Sequence, residues 1–117
     1  APKTRNLFAG RIDQFEVGGV RQFLDLEGNE ILIRRIAGDD FQAFSSTCPH
    51  LGCKVRWEQD EGHYLCPCHM GIFGADGEAI SGPPADGGQN LSPVPLVIDS
   101  DAGVLYVQVR EPGRRAS

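Results

Sequence analysis

With 117 residues the chain is long enough for one domain, with a real core but little to spare. Fifteen glycines and eight prolines argue for many turns and against long helices. A net charge of −5, with no basic stretch interleaved with aromatics, argues against nucleic acid as a partner, and no apolar run approaches the ~18–20 residues needed to span a membrane.

In chain order, residues 1–6 read as a polar lead-in. Residues 20–26 and 31–36 read as strands joined at Glu27-Gly28-Asn29, and 41–44 follows as a third strand after a tight connection at Ala37-Gly38-Asp39-Asp40. Short strands are predicted at 54–57 and 63–65. A hairpin follows, with Ile72-Phe73 and Glu78-Ala79-Ile80 flanking Gly74-Ala75-Asp76-Gly77, whose Asp-Gly pair is its signal. Residues 96–98 and 104–109 flank a turn at Ser100-Asp101-Ala102-Gly103, and residues 111–117 read as a frayed tail. Nothing sustains a period of 3.6 over a dozen residues, so the expected fold is all-β.

Residues 45–85 are organised differently, because they hold every cysteine and histidine. Cys48-Pro49-His50-Leu51-Gly52-Cys53 is followed, twelve residues later, by Cys66-Pro67-Cys68-His69. Each stretch offers a cysteine and a histidine at close range, and Cys53 and Cys68 are left over in matching places. Two sulfurs and two imidazoles suit a Rieske 2Fe–2S centre, in which histidines replace cysteines on one of the two irons. Zinc also accepts two cysteines and two histidines. Its structural sites usually space each pair by two to four residues, and it would leave Cys53 and Cys68 unexplained. Two plain disulfides would use all four cysteines but neither flanking histidine. A thioredoxin-like redox pair needs a Cys-x-x-Cys spacing, which the chain lacks.

The whole pattern, Cys-x-His and after fifteen residues Cys-x-x-His, resembles the Rieske family. The Leu-Gly-Cys and Cys-Pro-Cys-His details resemble its quinol-oxidising branch, found in cytochrome bc-type complexes. The resemblance implies one Rieske domain over 1–117. An antiparallel β sandwich or barrel would form a base, about 7–44 and 86–110, with a small cluster-binding subdomain inserted at about 45–85. It implies that Cys48 and Cys66 bind one iron of the 2Fe–2S cluster, that His50 and His69 bind the other, and that Cys53 and Cys68 form a disulfide tying the two loops together. Rieske ferredoxins of ring-hydroxylating oxygenases lack that pair. Leu51 and the stretch Gly82-Pro83-Pro84 match positions that cover the cluster in the family.

With neutral imidazoles, two ferric irons, two sulfides and two thiolates carry no net charge. An electron therefore enters more easily than into an all-cysteine cluster, which places the potential at about −150 to +300 mV. High-potential relatives read Cys-Pro-Cys-His-Gly-Ser-x-Tyr, with Ser and Tyr hydroxyls donating to sulfur. Here Met70, Gly71 and Phe73 stand instead, so both donors are missing and a low, menaquinol-like potential is expected, with Ser81 a candidate substitute donor. The implied partners are a cytochrome b-type quinol-binding subunit and a c-type cytochrome, at the periplasmic or outer face of a bacterial membrane. The resemblance also implies an N-terminal membrane anchor, expected to have been removed from this chain, which begins with Ala1 and shows no signal-peptide pattern. The competing expectations are a small Rieske subunit of another periplasmic oxidoreductase, such as an arsenite-oxidase-like complex, or a free soluble carrier. His63 and Trp57 are read as a surface residue and a packing residue.

Overall fold

The structure is a computed structural model that describes residues 3–49, 52–68 and 70–110. Among the described residues ten antiparallel strands form three sheets. In the first, β1 (Thr4–Arg11) pairs with β10 (Val104–Arg110), which pairs with β9 (Leu96–Asp99). In the second, β2 (Val20–Leu24), β3 (Glu30–Ala37) and β4 (Asp40–Ser45) lie in chain order. The third holds β5 (Arg56–Glu58), β6 (His63–Cys66), β7 (Gly71–Phe73) and β8 (Ala79–Ser81) as a meander.

The run Ile31-Leu32-Ile33 explains how the sheets stack. Successive side chains on a strand point to opposite faces, so three buried residues in a row mean that both faces are covered. Ile31 and Ile33 join Ala43, Leu105 and Val107 in one core, shared with the first sheet. Leu32 joins Phe44, Val55, Tyr64 and Phe73 in the other, shared with the third sheet. The second sheet is therefore the middle layer, and the third sheet rests on its far face.

Two elements depart from the sequence reading. The expected polar lead-in is in fact the start of β1, whose residues Thr4, Arg5 and Asn6 pair with Arg110, Val109 and Gln108. Its polarity follows from exposure, since β1 buries only Gly10 fully. Gly82-Pro83-Pro84, matched from sequence to a covering proline-rich loop, opens a one-turn helix, α1 (Pro83–Asp86), that the sequence reading did not include. Prolines suit a first helical turn because the missing N–H has no intrahelical partner there. The expected hairpin at Asp76-Gly77 is present, with Gly77 at φ 83 and the Gly74 N–H donating to the Glu78 carbonyl. Among the described residues no helix is long and apolar enough to cross a membrane.

Candidate metal centre

Both motif stretches are turns at the same end of the third sheet. The first leaves β4 in extended form. The Ser46 N–H donates to the Glu30 carbonyl, the Val55 N–H donates to the Ser46 carbonyl, and Thr47 bridges Lys54. It then closes on itself, the Cys48 N–H donating to the Cys53 carbonyl (2.6 Å) and the Gly52 N–H to the Cys48 carbonyl (2.8 Å). The second stretch is the β6–β7 connection, where Cys66 faces Gly71 across the ladder.

A disulfide between Cys53 and Cys68 joins the two loops, with Cα atoms 6.4 Å apart. Cys48 and Cys66 stay outside it, 2% and 1% exposed, and belong to the same core. One cysteine from each loop is thus sealed beneath a crosslinked tip. His50, Leu51 and His69 lie outside the described residues. Among the described residues no group of three metal-ligating side chains gathers elsewhere.

The third side of the tip is built by close approach of two glycines. A Cβ on Gly82 would stand 2.9 Å from the Gly71 Cα, and one on Gly71 would stand 3.1 Å from Cγ and Cδ of Pro84. Gly82 sits at φ 83, in the left-handed region that favours glycine. The Gly82-Pro83-Pro84 turn therefore packs directly on the second loop, and Pro84 is buried.

Met70 keeps a backbone suited to glycine. Its φ of 53 makes it the only non-glycine residue with positive φ among the described residues, and it is 64% exposed. Left-handed backbone costs an ordinary L-residue roughly 1–2 kcal/mol. Met70→Gly should therefore raise stability by about 1 kcal/mol in denaturant melts, an expectation contradicted by any loss of stability.

His63, expected at the surface of a hairpin, lies on the β5–β6 hairpin. It is half-buried, with Nε2 2.9 Å from Oε1 of Glu58, its cross-strand neighbour. Trp57 packs as expected, its ring 4.8 Å from that of Tyr64.

Sequence reading also passed over two hydroxyls. Ser46 and Tyr64 are each 0% exposed, and neither Ser46 Oγ nor Tyr64 Oη has a hydrogen-bond partner. Burial pushes the Tyr64 hydroxyl up to about 12, against the opposing pull of the Arg34 guanidinium, so it is a neutral phenol at physiological pH. Each precedes a motif cysteine by two residues, a spacing that puts alternating side chains of an extended chain on one face. That spacing was the available signal.

This donor chemistry fits an iron–sulfur group. Two buried thiols from separate loops share a core with an unpartnered phenol, beside an unpartnered serine hydroxyl two residues from one of them, all under a tip fixed by a disulfide. An all-β fold that presents two crosslinked loops at one sheet end, each with a buried cysteine, is a small domain with a candidate metal centre at that end.

The chain matches the family described as Rieske [2Fe-2S] domain over residues 6–97, and it belongs to that family, whose cofactor is a 2Fe–2S cluster. It is 35% identical to the carotenoid phi-ring synthase of Chlorobaculum tepidum over 78% of this chain and 13% of that protein. It is 42% identical to the menaquinol:cytochrome c reductase iron–sulfur subunit of Bacillus subtilis over 40% of this chain and 30% of that one. The chain thus spans less than a third of either relative. Its fold is similar to that of the plasma-membrane Rieske protein PetC3 of Synechocystis PCC 6803, with a TM-score of 0.71 and 22% identity, over 86% of this chain and 97% of that one.

Proposed function

We propose that this chain is the electron-transfer domain of a quinol-oxidising complex of the cytochrome bc type, taking one electron at a time from a low-potential, menaquinol-like quinol and passing it to a c-type cytochrome. The observation that carries the reading is the disulfide between the two motif loops, the feature that ring-hydroxylating ferredoxins of the family lack. The Bacillus subtilis relative supports the quinol and cytochrome assignments by likeness. In this reading Cys48, His50, Cys66 and His69 hold the 2Fe–2S group, which supplies a one-electron redox couple. His50 or His69 receives the quinol proton, Leu51 meets the quinol-binding subunit, and the Gly82-Pro83-Pro84 turn keeps water from one side. A disulfide persists only where thiols are oxidised, which supports a periplasmic or outer-face location, with a cytochrome b-type subunit as partner.

A second reading, a Rieske domain serving another oxidoreductase, is favoured by the likeness to the carotenoid phi-ring synthase, which covers more of this chain. Stopped-flow mixing separates the two. A quinol-branch domain, pre-reduced, should transfer its electron to a c-type cytochrome within the mixing experiment, and absence of haem reduction would contradict the first reading.

The potential offers a further check. Phe73 is fully buried in the core that holds Cys48 and Cys66. A hydroxyl donated to sulfur favours the more negative, reduced state; a differential of ~1 kcal/mol corresponds to ~40 mV, at about 1.4 kcal/mol per tenfold and 59 mV per tenfold for one electron. Phe73→Tyr should raise the midpoint by tens of millivolts in voltammetry, and a fall would contradict the account. Gly71→Ser is a poorer probe, because its Cβ would meet Pro84 at 3.1 Å. A wild-type midpoint near the top of the about −150 to +300 mV Rieske range would contradict the menaquinol assignment.

A further inference from the structure

Burial alternates along the segment that enters the first loop. Phe44, Ser46 and Cys48 are buried, while Ser45 is half-buried and Thr47 is exposed. Ser46 therefore faces inward in the same row as Cys48. Its backbone is held on both sides, through the Glu30 carbonyl (3.0 Å) and the Val55 N–H (2.7 Å), so the side chain has little freedom to turn away. Its hydroxyl is sealed from solvent and has no hydrogen-bond partner. An unmet buried hydroxyl is costly, and such groups in native folds call for an explanation.

Phe44 and Cys48, on either side of Ser46 in that row, belong to a core otherwise lined by Leu32, Val55, Phe73 and Leu91, with Tyr64 and Cys66. The Tyr64 hydroxyl is also unmet, so the two hydroxyls do not bond each other. Tyr64 lies within the electrostatic reach of Arg34, whose Nε is likewise buried and unmet, so those two groups do not bond each other either. Ser81, the substitute donor considered from sequence, is exposed on β8 opposite Ile72.

The geometry points to Ser46 as the potential-tuning donor of this centre, its hydroxyl, which makes no bond to the Cys48 thiol itself, donating to a sulfide of the bound cluster. The assignment rests on the reading of Cys48 as a cluster ligand. It makes Ser46 a positioning residue that favours the reduced state, in place of the hydroxyls missing at Gly71 and Phe73.

Voltammetry and electron paramagnetic resonance on the purified, cluster-loaded protein test this, using wild type, Ser46→Ala and Ser45→Ala. Ser45 is the control, since its Oγ accepts the Thr47 N–H at 3.3 Å and it is half-exposed. Ser46→Ala should keep the cluster signal while its reduced-to-oxidised ratio at fixed potential falls about three- to tenfold, a downward shift of ~30–60 mV at 59 mV per tenfold. Ser45→Ala should change that ratio by less than about twofold, ~18 mV on the same scale. An unchanged potential in Ser46→Ala, or an equal shift in Ser45→Ala, overturns the proposal. Ser46→Gly is read instead if the alanine variant does not load, and failure of both to load overturns it by showing a purely structural role. A wild type without iron sinks the ligand reading and this proposal together, and iron content of the wild type separates that failure from the others.

Discussion

Cys48→Ser, His50→Ala, Cys66→Ser and His69→Ala are each expected to yield protein with less than about a tenth of the wild-type iron. Changes one layer out from a metal ligand already cost 10–100-fold in affinity, and losing a ligand costs more. The chain offers no replacement. It contains four cysteines and three histidines. Cys53 and Cys68 are bonded to each other, and His63 is held by Glu58 at 2.9 Å on the β5–β6 hairpin. Visible absorbance and iron content of each purified variant check this. A fully coloured variant at any of the four positions would remove that residue from the ligand set.

Cys53→Ala combined with Cys68→Ala is expected to lower stability by about 3 kcal/mol. The bond closes a loop of 15 residues, for which the chain-entropy estimate gives roughly that value. In a domain of this size the loss corresponds to a fall of about 10 °C in melting temperature. The crosslink also holds the two cysteine loops side by side, so the double variant should load some cluster and lose it faster than the parent does. Thermal melts and the decay of visible absorbance measure both effects. Parity with the parent in both would show that the loops hold themselves together without the bond.

What the sequence made legible was local. Residues 31–36 announced a strand, and Asp76-Gly77 announced a hairpin, because each signal is complete within a few residues. The cysteine and histidine spacing carried the family in the same way. The start of β1 escaped because Thr4-Arg5-Asn6 is polar and its partner, β10, lies about a hundred residues further on. Its strand character comes from that pairing rather than from its own composition. The one-turn helix after Gly82 escaped because four residues cannot establish a period. The contact of Gly82 and Pro84 with Gly71 is likewise a fact of packing. Ser46 and Tyr64 stood in plain view two residues before their cysteines, yet only burial and the lack of a hydrogen-bond partner set them apart from ordinary strand residues.

The central claim is that the two loops hold a 2Fe–2S centre between one cysteine–histidine pair and the other. Electron paramagnetic resonance of the purified chain after one-electron reduction, with iron and acid-labile sulfide counted on the same sample, tests it most directly. The account predicts two irons and two sulfides per chain and a rhombic signal that appears only on reduction. A colourless protein holding a single zinc, or one with no metal and no signal, would contradict it.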